Sequence, residues 1–221
     1  AGLNEGIITT ADRFFCPNKF AIANRVIGEA HNHEEGHFTV NEILMHSFNV
    51  GTARIGLQIG PKTFEKYIYA FGFGQVTGVD LPGESPGIVR PAKRWWGADN
   101  GIIAFGQGIA VTPLQLITAY SAFLNDGNMV RPHLIKKIEN WDGSLVKERQ
   151  ILKVPVISAS CAAQMKDMLV NVVEKGTGTT AQIPGFWIGG KTGTAQKPRP
   201  GGGYVAGNYV ISFIGFLPAS K

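Results

Sequence analysis

Two short motifs carry side chains that can move protons and hold a polar ligand. The first is Ser47-Phe48-Asn49, and the second is Lys191-Thr192-Gly193-Thr194. The Ser47 hydroxyl can both accept and donate a proton, and the Asn49 amide offers a donor and an acceptor that suit a peptide group. Lys191 adds a positive charge. Because each motif alone is short enough to occur by chance, the interpretation depends on the two together.

The elements around the second motif are predicted to be strands. Residues 185–196 form the first predicted strand, a loop rich in proline and glycine follows, and residues 209–217 form the second. We expect the two strands to pair as an antiparallel hairpin. Gly193 lies inside the first strand, where a glycine is typical of a close approach by another backbone.

The first motif interrupts a predicted pair of helices. A capping box at residues 39–42 predicts a helix to about His46, and a second helix is predicted to continue to about Gln58. Further helices are predicted after Pro61, after a second capping box at residues 112–115, and from about Cys161 to Glu174. Asp142-Gly143 predicts a hairpin turn, and residues 7–38 predict a loop-rich segment.

Composition narrows the function classes. The chain has 221 residues, of which 44% are hydrophobic and 17% charged, and this balance is typical of a globular protein rather than a disordered one. The formal charge of +5 indicates a mildly basic surface or a cleft that attracts carboxylates. The sequence has no patch of basic residues interleaved with aromatic residues, so nucleic acid binding is not indicated. No apolar run is long enough to span a bilayer. Cys16 and Cys161 do not define a disulfide framework.

The two motifs and their surroundings resemble the penicillin-recognising serine enzymes, in particular the monofunctional, class B, division-type penicillin-binding proteins. The resemblance covers nearly the whole chain. It is carried by residues 31–36, 39–44, 47–51, 105–108, 111–115, 178–179, 190–195 and 212–216.

The resemblance implies an α/β fold of the penicillin-binding transpeptidase and serine β-lactamase type. This chain is expected to hold it incompletely, as a helical subdomain and part of the antiparallel sheet. The expected boundaries are a helical region at about 1–125 and 158–182, a hairpin at about 130–150, and sheet strands at about 185–217.

The resemblance also implies the activity, which is peptidoglycan D,D-transpeptidation. The expected partners are stem peptides ending in D-Ala-D-Ala, β-lactam antibiotics and other cell-wall synthesis proteins, without nucleic acid, cofactor or metal. The expected location is the outer side of the bacterial cytoplasmic membrane, with membrane attachment only through an N-terminal anchor that this sequence does not contain.

The resemblance assigns roles to the motif residues. Ser47 is expected to relay a proton to the leaving amine, Asn49 to grip a substrate peptide group, and Lys191 to polarise Ser47 and help anchor the substrate carboxylate. Thr192 and Thr194 are expected to offer hydroxyls to that carboxylate, and the Thr194 backbone N–H to form half of an oxyanion hole. Gly193 is expected to leave room for a substrate strand.

One element of the family pattern is missing. The nucleophilic serine belongs to a Ser-x-x-Lys motif that comes before Ser-x-Asn, yet no serine precedes Ser47. Ser144-Leu145-Val146-Lys147 matches the string, but it follows a predicted turn, where residues three apart on a strand point to opposite faces. We therefore expect Ser144 to be inert and the family serine to lie upstream of Leu3, on a helix whose last turn the chain retains. The chain alone is expected to be catalytically incompetent.

Other functions stay open at this point. A β-lactam sensor or β-lactamase would share both motifs, and a non-catalytic scaffold module would lack the nucleophile. Cys16, His31, His33 and His37 have spacings compatible with zinc, although the resemblance explains the histidines as part of a loop without metal.

Overall fold

The helices and strands of the protein were established from a computed structural model that describes residues 1–199, 201 and 203–217. Six α-helices lie within this part of the chain: α1 Val40–His46, α2 Asn49–Ile59, α3 Pro61–Ala70, α4 Asp99–Ala104, α5 Pro113–Leu124 and α6 Ala159–Lys175. None of them is both long and apolar enough to serve as a membrane-spanning helix.

The strands of the described residues form five two-stranded antiparallel sheets. Their pairs are β1 Arg13–Cys16 with β4 Gly36–Thr39, β2 Lys19–Ile22 with β3 Arg25–Gly28, β5 Asn128–Val130 with β8 Lys153–Pro155, β6 Lys137–Glu139 with β7 Leu145–Glu148, and β9 Gly189–Pro198 with β10 Tyr204–Phe216.

Both predicted capping boxes are present. The Thr39 hydroxyl accepts from the Glu42 N–H, and the Glu42 carboxylate accepts from the Thr39 N–H at 2.7 Å, so α1 begins where the sequence predicts. Thr112 and Gln115 make the same reciprocal pair at α5, with Pro113 in the first helical position. The sequence therefore defines these two helix starts locally, without help from the rest of the fold.

Helix α6 joins the helical part of the chain to the β9–β10 hairpin. It packs against α1, α5 and β9, and its buried residues include Met168, Leu169, Val172 and Val173. Met168 contacts Ile8 and Val40, whereas Leu169 packs on Phe216 of β10. α6 therefore packs against both α1, which ends at the first motif, and β9, which carries the second motif.

Residues 7–38 differ from the prediction of a loop-rich segment. They contain β1, β2, β3 and most of β4, so the region from 1 to 125 is not purely helical. The strands are only four residues long and half of their residues are exposed, so such short runs show little hydrophobic alternation in the sequence.

Two other sequence predictions need adjustment. Strand β9 begins at Gly189 rather than 185, and β10 already begins at Tyr204 rather than 209. On α5, Ile117 and Leu124 belong to the predicted apolar face but are exposed, and Ala119 and Ala122 are buried instead. The small alanines let α5 pack closely, and helical spacing alone does not distinguish between the two faces of so apolar a helix.

Candidate active site

The first motif lies at the junction between α1 and α2. Ser47 takes the left-handed backbone conformation, with φ 60° and ψ 40°, which is uncommon for a residue other than glycine. Its N–H and that of Phe48 return to the carbonyls of Leu44 and Ile43, and this pattern ends α1. Because of this sharp turn, Ser47 belongs to neither helix, and its side chain lies at the junction between α1 and α2.

The two motifs meet in space. Lys191 Nζ donates to Ser47 Oγ at 2.7 Å and to the Thr192 carbonyl oxygen at 3.0 Å. Lys191 lies on β9, opposite Ile214 of β10. The fold therefore brings together two predicted site residues that are 144 positions apart in the sequence.

The Lys191 ammonium group is poorly solvated. Burial lowers its pKa to about 8, because a low-dielectric surrounding disfavours the charged form. Within residues 1–199, 201 and 203–217, no carboxylate lies within 4 Å of Nζ. An unpaired and half-buried cation is suited to binding an anionic ligand group.

Asn49 is held through its backbone and its side chain. Its N–H donates to Glu29 Oε2 at 2.6 Å, and its Nδ2 donates to the Gly28 carbonyl oxygen at 3.0 Å. An amide nitrogen carries two hydrogens, so a second N–H and the amide oxygen remain for a ligand. The side chain is thus oriented by the end of β3.

The middle residue of the first motif, Phe48, packs among aromatic rings. Phe48 stacks on the ring of His33, with centroids 4.0 Å apart, and contacts Phe38 edge-on at 4.8 Å. The His46 ring also stacks on Phe48, with centroids 5.4 Å apart. The aromatic cluster gives the phenyl ring a defined place beside the Ser47 turn.

A glycine and a threonine after α6 connect the two motifs. The Thr177 N–H donates to the Met45 carbonyl oxygen of α1 at 3.2 Å, and Thr177 Oγ1 lies 3.0 Å from Thr192 Oγ1. A methyl group at Gly176 would overlap the same Met45 carbonyl oxygen. The chain at 176–177 therefore bridges α1, whose C-cap is Ser47, and β9.

The remaining predicted residues lie on β9. Thr194 is exposed and pairs with Ile211, whereas Gly193 pairs with Ser212. A side chain at Gly193 would lie 2.6 Å from Ser212 Oγ, so the glycine leaves room for the neighbouring strand as well as for any ligand. The part of Thr194 in an oxyanion hole stays a prediction.

The Ser-x-x-Lys string at Ser144–Lys147 lies on a different hairpin from β9–β10. Ser144 follows the turn between β6 and β7, and its Oγ donates to Asp142 Oδ1 at 2.6 Å while it accepts from Asn140 Nδ2 at 2.9 Å. Its hydroxyl is committed to the turn rather than to Lys147. This arrangement agrees with the expectation that Ser144 is a hairpin serine.

The cysteines and histidines do not converge in the described part of the chain. No group of three or more His, Cys, Asp or Glu side chains there could hold a metal ion. His33 stacks on Phe48, His37 contacts Phe15, and Cys16 is a buried free thiol whose pKa burial raises to about 11.

Three residues of this site were not predicted. Glu29, Gly176 and Thr177 act on the motifs through contacts between segments far apart in the sequence, and such contacts have no local pattern. One indirect indication was present at Phe48, because a phenyl ring at the start of α2 offers no oxygen to cap the helix.

Comparison with known proteins gives a consistent result. A family model described as the penicillin binding protein transpeptidase domain matches residues 1–221. The chain is 42% identical over 183 residues to stage V sporulation protein D of Bacillus subtilis, across 82% of this chain and 28% of that protein. It is 35% identical over 229 residues to penicillin-binding protein PbpB of Mycobacterium tuberculosis, across 100% of this chain and 34% of that protein.

The fold is also similar to solved structures. A crystal structure of penicillin binding protein 3 from Mycobacterium tuberculosis, complexed with ampicillin, matches with a TM-score of 0.93 and 35% identity. The match covers 99% of this chain and 50% of that one. The chain thus spans about a third of the length of the curated relatives named above.

Proposed function

The chain belongs to the penicillin binding protein transpeptidase family, and on that basis we propose that Ser47, Asn49 and Lys191 are active-site residues of a serine-type peptidoglycan D,D-transpeptidase. The observation that carries the proposal is the 2.7 Å hydrogen bond from Lys191 Nζ to Ser47 Oγ. It joins the two family motifs in one polar cluster.

The bond also gives Ser47 a direction for proton transfer. An ammonium group has only donors, so Ser47 Oγ must be the acceptor in this bond. The hydroxyl proton of Ser47 then points elsewhere and is available to a leaving amine. The positive charge beside Oγ stabilises the negative charge that grows on this oxygen as its proton leaves.

The proposed reaction is acyl transfer between stem peptides. A nucleophilic serine attacks the carbonyl of the penultimate D-alanine and releases the last D-alanine, and the amine of a second stem then resolves the acyl-enzyme. No serine precedes Ser47 in this sequence, so we assign Ser47, Asn49 and Lys191 to roles around the nucleophile. β-Lactams resemble the D-Ala-D-Ala end and are proposed to acylate the same serine.

The site offers suitable groups for the substrate. The Lys191 ammonium, which has no carboxylate within 4 Å among the described residues, and the hydroxyls of Thr192 and Thr194 are proposed to bind the terminal carboxylate. The Asn49 amide is proposed to bind a peptide group of the stem. We place this activity on the outer side of the bacterial cytoplasmic membrane, together with other cell-wall synthesis proteins.

The test is acylation of the full-length gene product by a fluorescent penicillin. Reactions are quenched at successive times, and the labelled protein is quantified by gel electrophoresis to give the acylation rate. Ser47→Ala should lower the acylation rate by about a hundredfold or more, because general acid–base groups contribute on this scale. A D-Ala-D-Ala peptide should compete with labelling of the wild type.

Ser144→Ala is the matched control, since it removes a hydroxyl that is bonded within the β6–β7 turn. It should leave the acylation rate unchanged. The proposal is wrong if the wild-type gene product forms no adduct with the penicillin, or if Ser47→Ala is acylated as fast as the wild type.

A further inference from the structure

Helix α2 begins without a cap of its own. Its N-cap residue is Phe48, whose backbone is extended as a cap requires, but whose ring makes no capping hydrogen bond. The first N–H groups of a helix have no partner within the helix, and leaving them unpaired in a buried place costs free energy. Asn49, a residue of the first motif, is the first residue of this helix.

A carboxylate from a distant segment takes the place of the cap. Glu29 Oε2 accepts the Asn49 N–H at 2.6 Å, and Glu29 Oε1 accepts the Val50 N–H at 2.8 Å. The negative charge also lies at the positive end of the helix dipole. The Glu29 side chain is only 2% exposed, so these two bonds are its compensation for burial.

The residue before Glu29 holds the Asn49 side chain. The Gly28 carbonyl oxygen accepts from Asn49 Nδ2 at 3.0 Å, so the dipeptide 28–29 fixes both the backbone and the amide of one residue. This dipeptide is itself fixed, because the Glu29 N–H donates to the Asn18 carbonyl oxygen at 3.2 Å. Ile27 packs with Val50 in the same core cluster.

His33 completes the surroundings of the carboxylate. Its Nε2 lies 4.0 Å from Glu29 Oε1 and has no hydrogen-bond partner among the described residues, while its ring stacks on Phe48. Burial raises the pKa of Glu29, and the N–H groups of Val50 and Asn49 act in the opposite direction. The carboxylate, the ring and the helix start therefore form one packed unit behind Asn49.

We propose that Glu29, at the end of the β2–β3 hairpin, is a positioning residue for Asn49. It holds Asn49 in place by capping the start of α2. The inference rests on the proposed function for its kinetic consequence, because Asn49 matters to a rate only if it binds the acylating compound. The capping itself does not depend on the reaction.

The kinetic test compares two penicillins in the full-length gene product. Benzylpenicillin has a side-chain amide that Asn49 can bind, whereas 6-aminopenicillanic acid lacks it. Glu29→Gln replaces one acceptor oxygen by an NH₂ group that faces a backbone N–H. It should lower benzylpenicillin acylation by about tenfold, the scale of one lost charge-assisted hydrogen bond. Acylation by 6-aminopenicillanic acid should change much less.

The quantity compared is the ratio of the benzylpenicillin acylation rate to the 6-aminopenicillanic acid acylation rate. Two further variants calibrate this ratio. Asn49→Ala should shift it in the same direction, since it removes the amide directly. Glu34→Gln removes an exposed charge from the same segment and should leave the ratio unchanged. If Glu29→Gln does not fold, Glu29→Asp replaces it, because this variant keeps the charge but shortens its reach. Its ratio should lie between those of the wild type and Asn49→Ala.

A second readout is independent of acylation. Hydrogen–deuterium exchange of peptides that cover residues 47–52 should be faster in Glu29→Gln than in wild type, because the Asn49 and Val50 amides lose their acceptors. Faster exchange and a shifted ratio support the proposal. Unchanged exchange overturns the proposal. Equal losses of acylation rate with both penicillins also overturn it, because they would show that Glu29 supports the stability of the fold rather than the position of Asn49. If the wild type is not acylated at all, the proposed function fails while the exchange result still decides the capping.

Discussion

At Lys191, burial determines the pH at which the side-chain charge is lost. Burial lowers the pKa of this ammonium group to about 8, from its ordinary value of 10.5. The charge is therefore present at neutral pH and titrates only slightly above it. If this charge polarises Ser47, the reaction must weaken as Lys191 loses its proton.

We predict an alkaline limb near pH 8 in the rate of penicillin acylation of the full-length gene product. Lys191→Arg should remove that limb up to about pH 10, since a guanidinium group stays protonated there. Its rate at pH 7 should be lower, because the planar group cannot reproduce the point contact with Ser47 Oγ. A wild-type rate that is flat from pH 7 to 10 would contradict the role of the charge.

The same titration has a consequence for stability. Between about pH 8 and the value of 10.5 for the unfolded chain, the unfolded state binds more protons at Lys191 than the folded state does. The free energy of unfolding therefore rises with pH through this window as far as Lys191 contributes, and the full cost of burying the charge is present below about pH 8. On the proposed role of Lys191, the acylation rate and the stability depend on its charge in opposite directions.

At the scale of elements, the distance between α1 and β9 depends on how closely the end of α6 approaches α1. Gly176 is the C-cap of α6, and a methyl group there would overlap the Met45 carbonyl oxygen and lie 2.7 Å from its Cγ. Backbone atoms cannot move aside as the end of a flexible side chain can. A larger residue must push the two helix ends apart.

We predict that Gly176→Ala lowers the free energy of unfolding by about 1–3 kcal/mol, the usual cost of overpacking. It should also slow penicillin acylation, because Thr177 and Ser47 move with the displaced helix ends. The measurements are urea unfolding and acylation rate on the full-length gene product. Gly36→Ala is the control, since its methyl group would make only ordinary contacts with Phe38, at 3.7 Å. An acylation rate that survives in Gly176→Ala would exclude this coupling.

The helices were predictable where the residues that define them are neighbours in sequence. The Thr39 and Thr112 capping boxes defined the starts of α1 and α5, and the apolar face of α6 was correct at Met168 and Leu169. The short strands β1 to β4 were missed because each has only four residues and half of these residues are exposed. β1 and β4 pair with each other across the intervening β2–β3 hairpin, and such a contact has no local sequence pattern.

The site divides in the same way. Ser47 and Lys191 were identified from short motifs, and the structure brings them to 2.7 Å. Glu29 and Thr177 were not identified, because their contacts cross 20 and 15 residues of sequence and depend on how segments pack. Sequence motifs thus indicate the groups that we propose to face a ligand, whereas the groups that hold them in place emerge from the tertiary structure.

At the scale of the whole molecule, β10 presents apolar side chains to solvent at four of five successive positions, 209–213. Tyr209, Val210, Ile211 and Phe213 are all exposed, and Ile211 reaches 79%. A cluster of this kind on a strand is unusual for a soluble monomer, in which exposed apolar residues are scattered singly. Hydrophobic dyes bind to such clusters.

We therefore predict that the 221-residue polypeptide, expressed by itself, binds a hydrophobic dye such as anilinonaphthalene sulfonate in its folded state. Ile211→Thr should reduce the dye fluorescence while changing the free energy of unfolding by less than about 0.5 kcal/mol, because the side chain is already in water. Val26→Thr, at a residue that is 68% exposed on the β2–β3 hairpin, is the matched control and should not alter the fluorescence. Folded polypeptide that binds no dye, or equal effects of the two substitutions, would show that the β10 side chains do not form an accessible apolar surface.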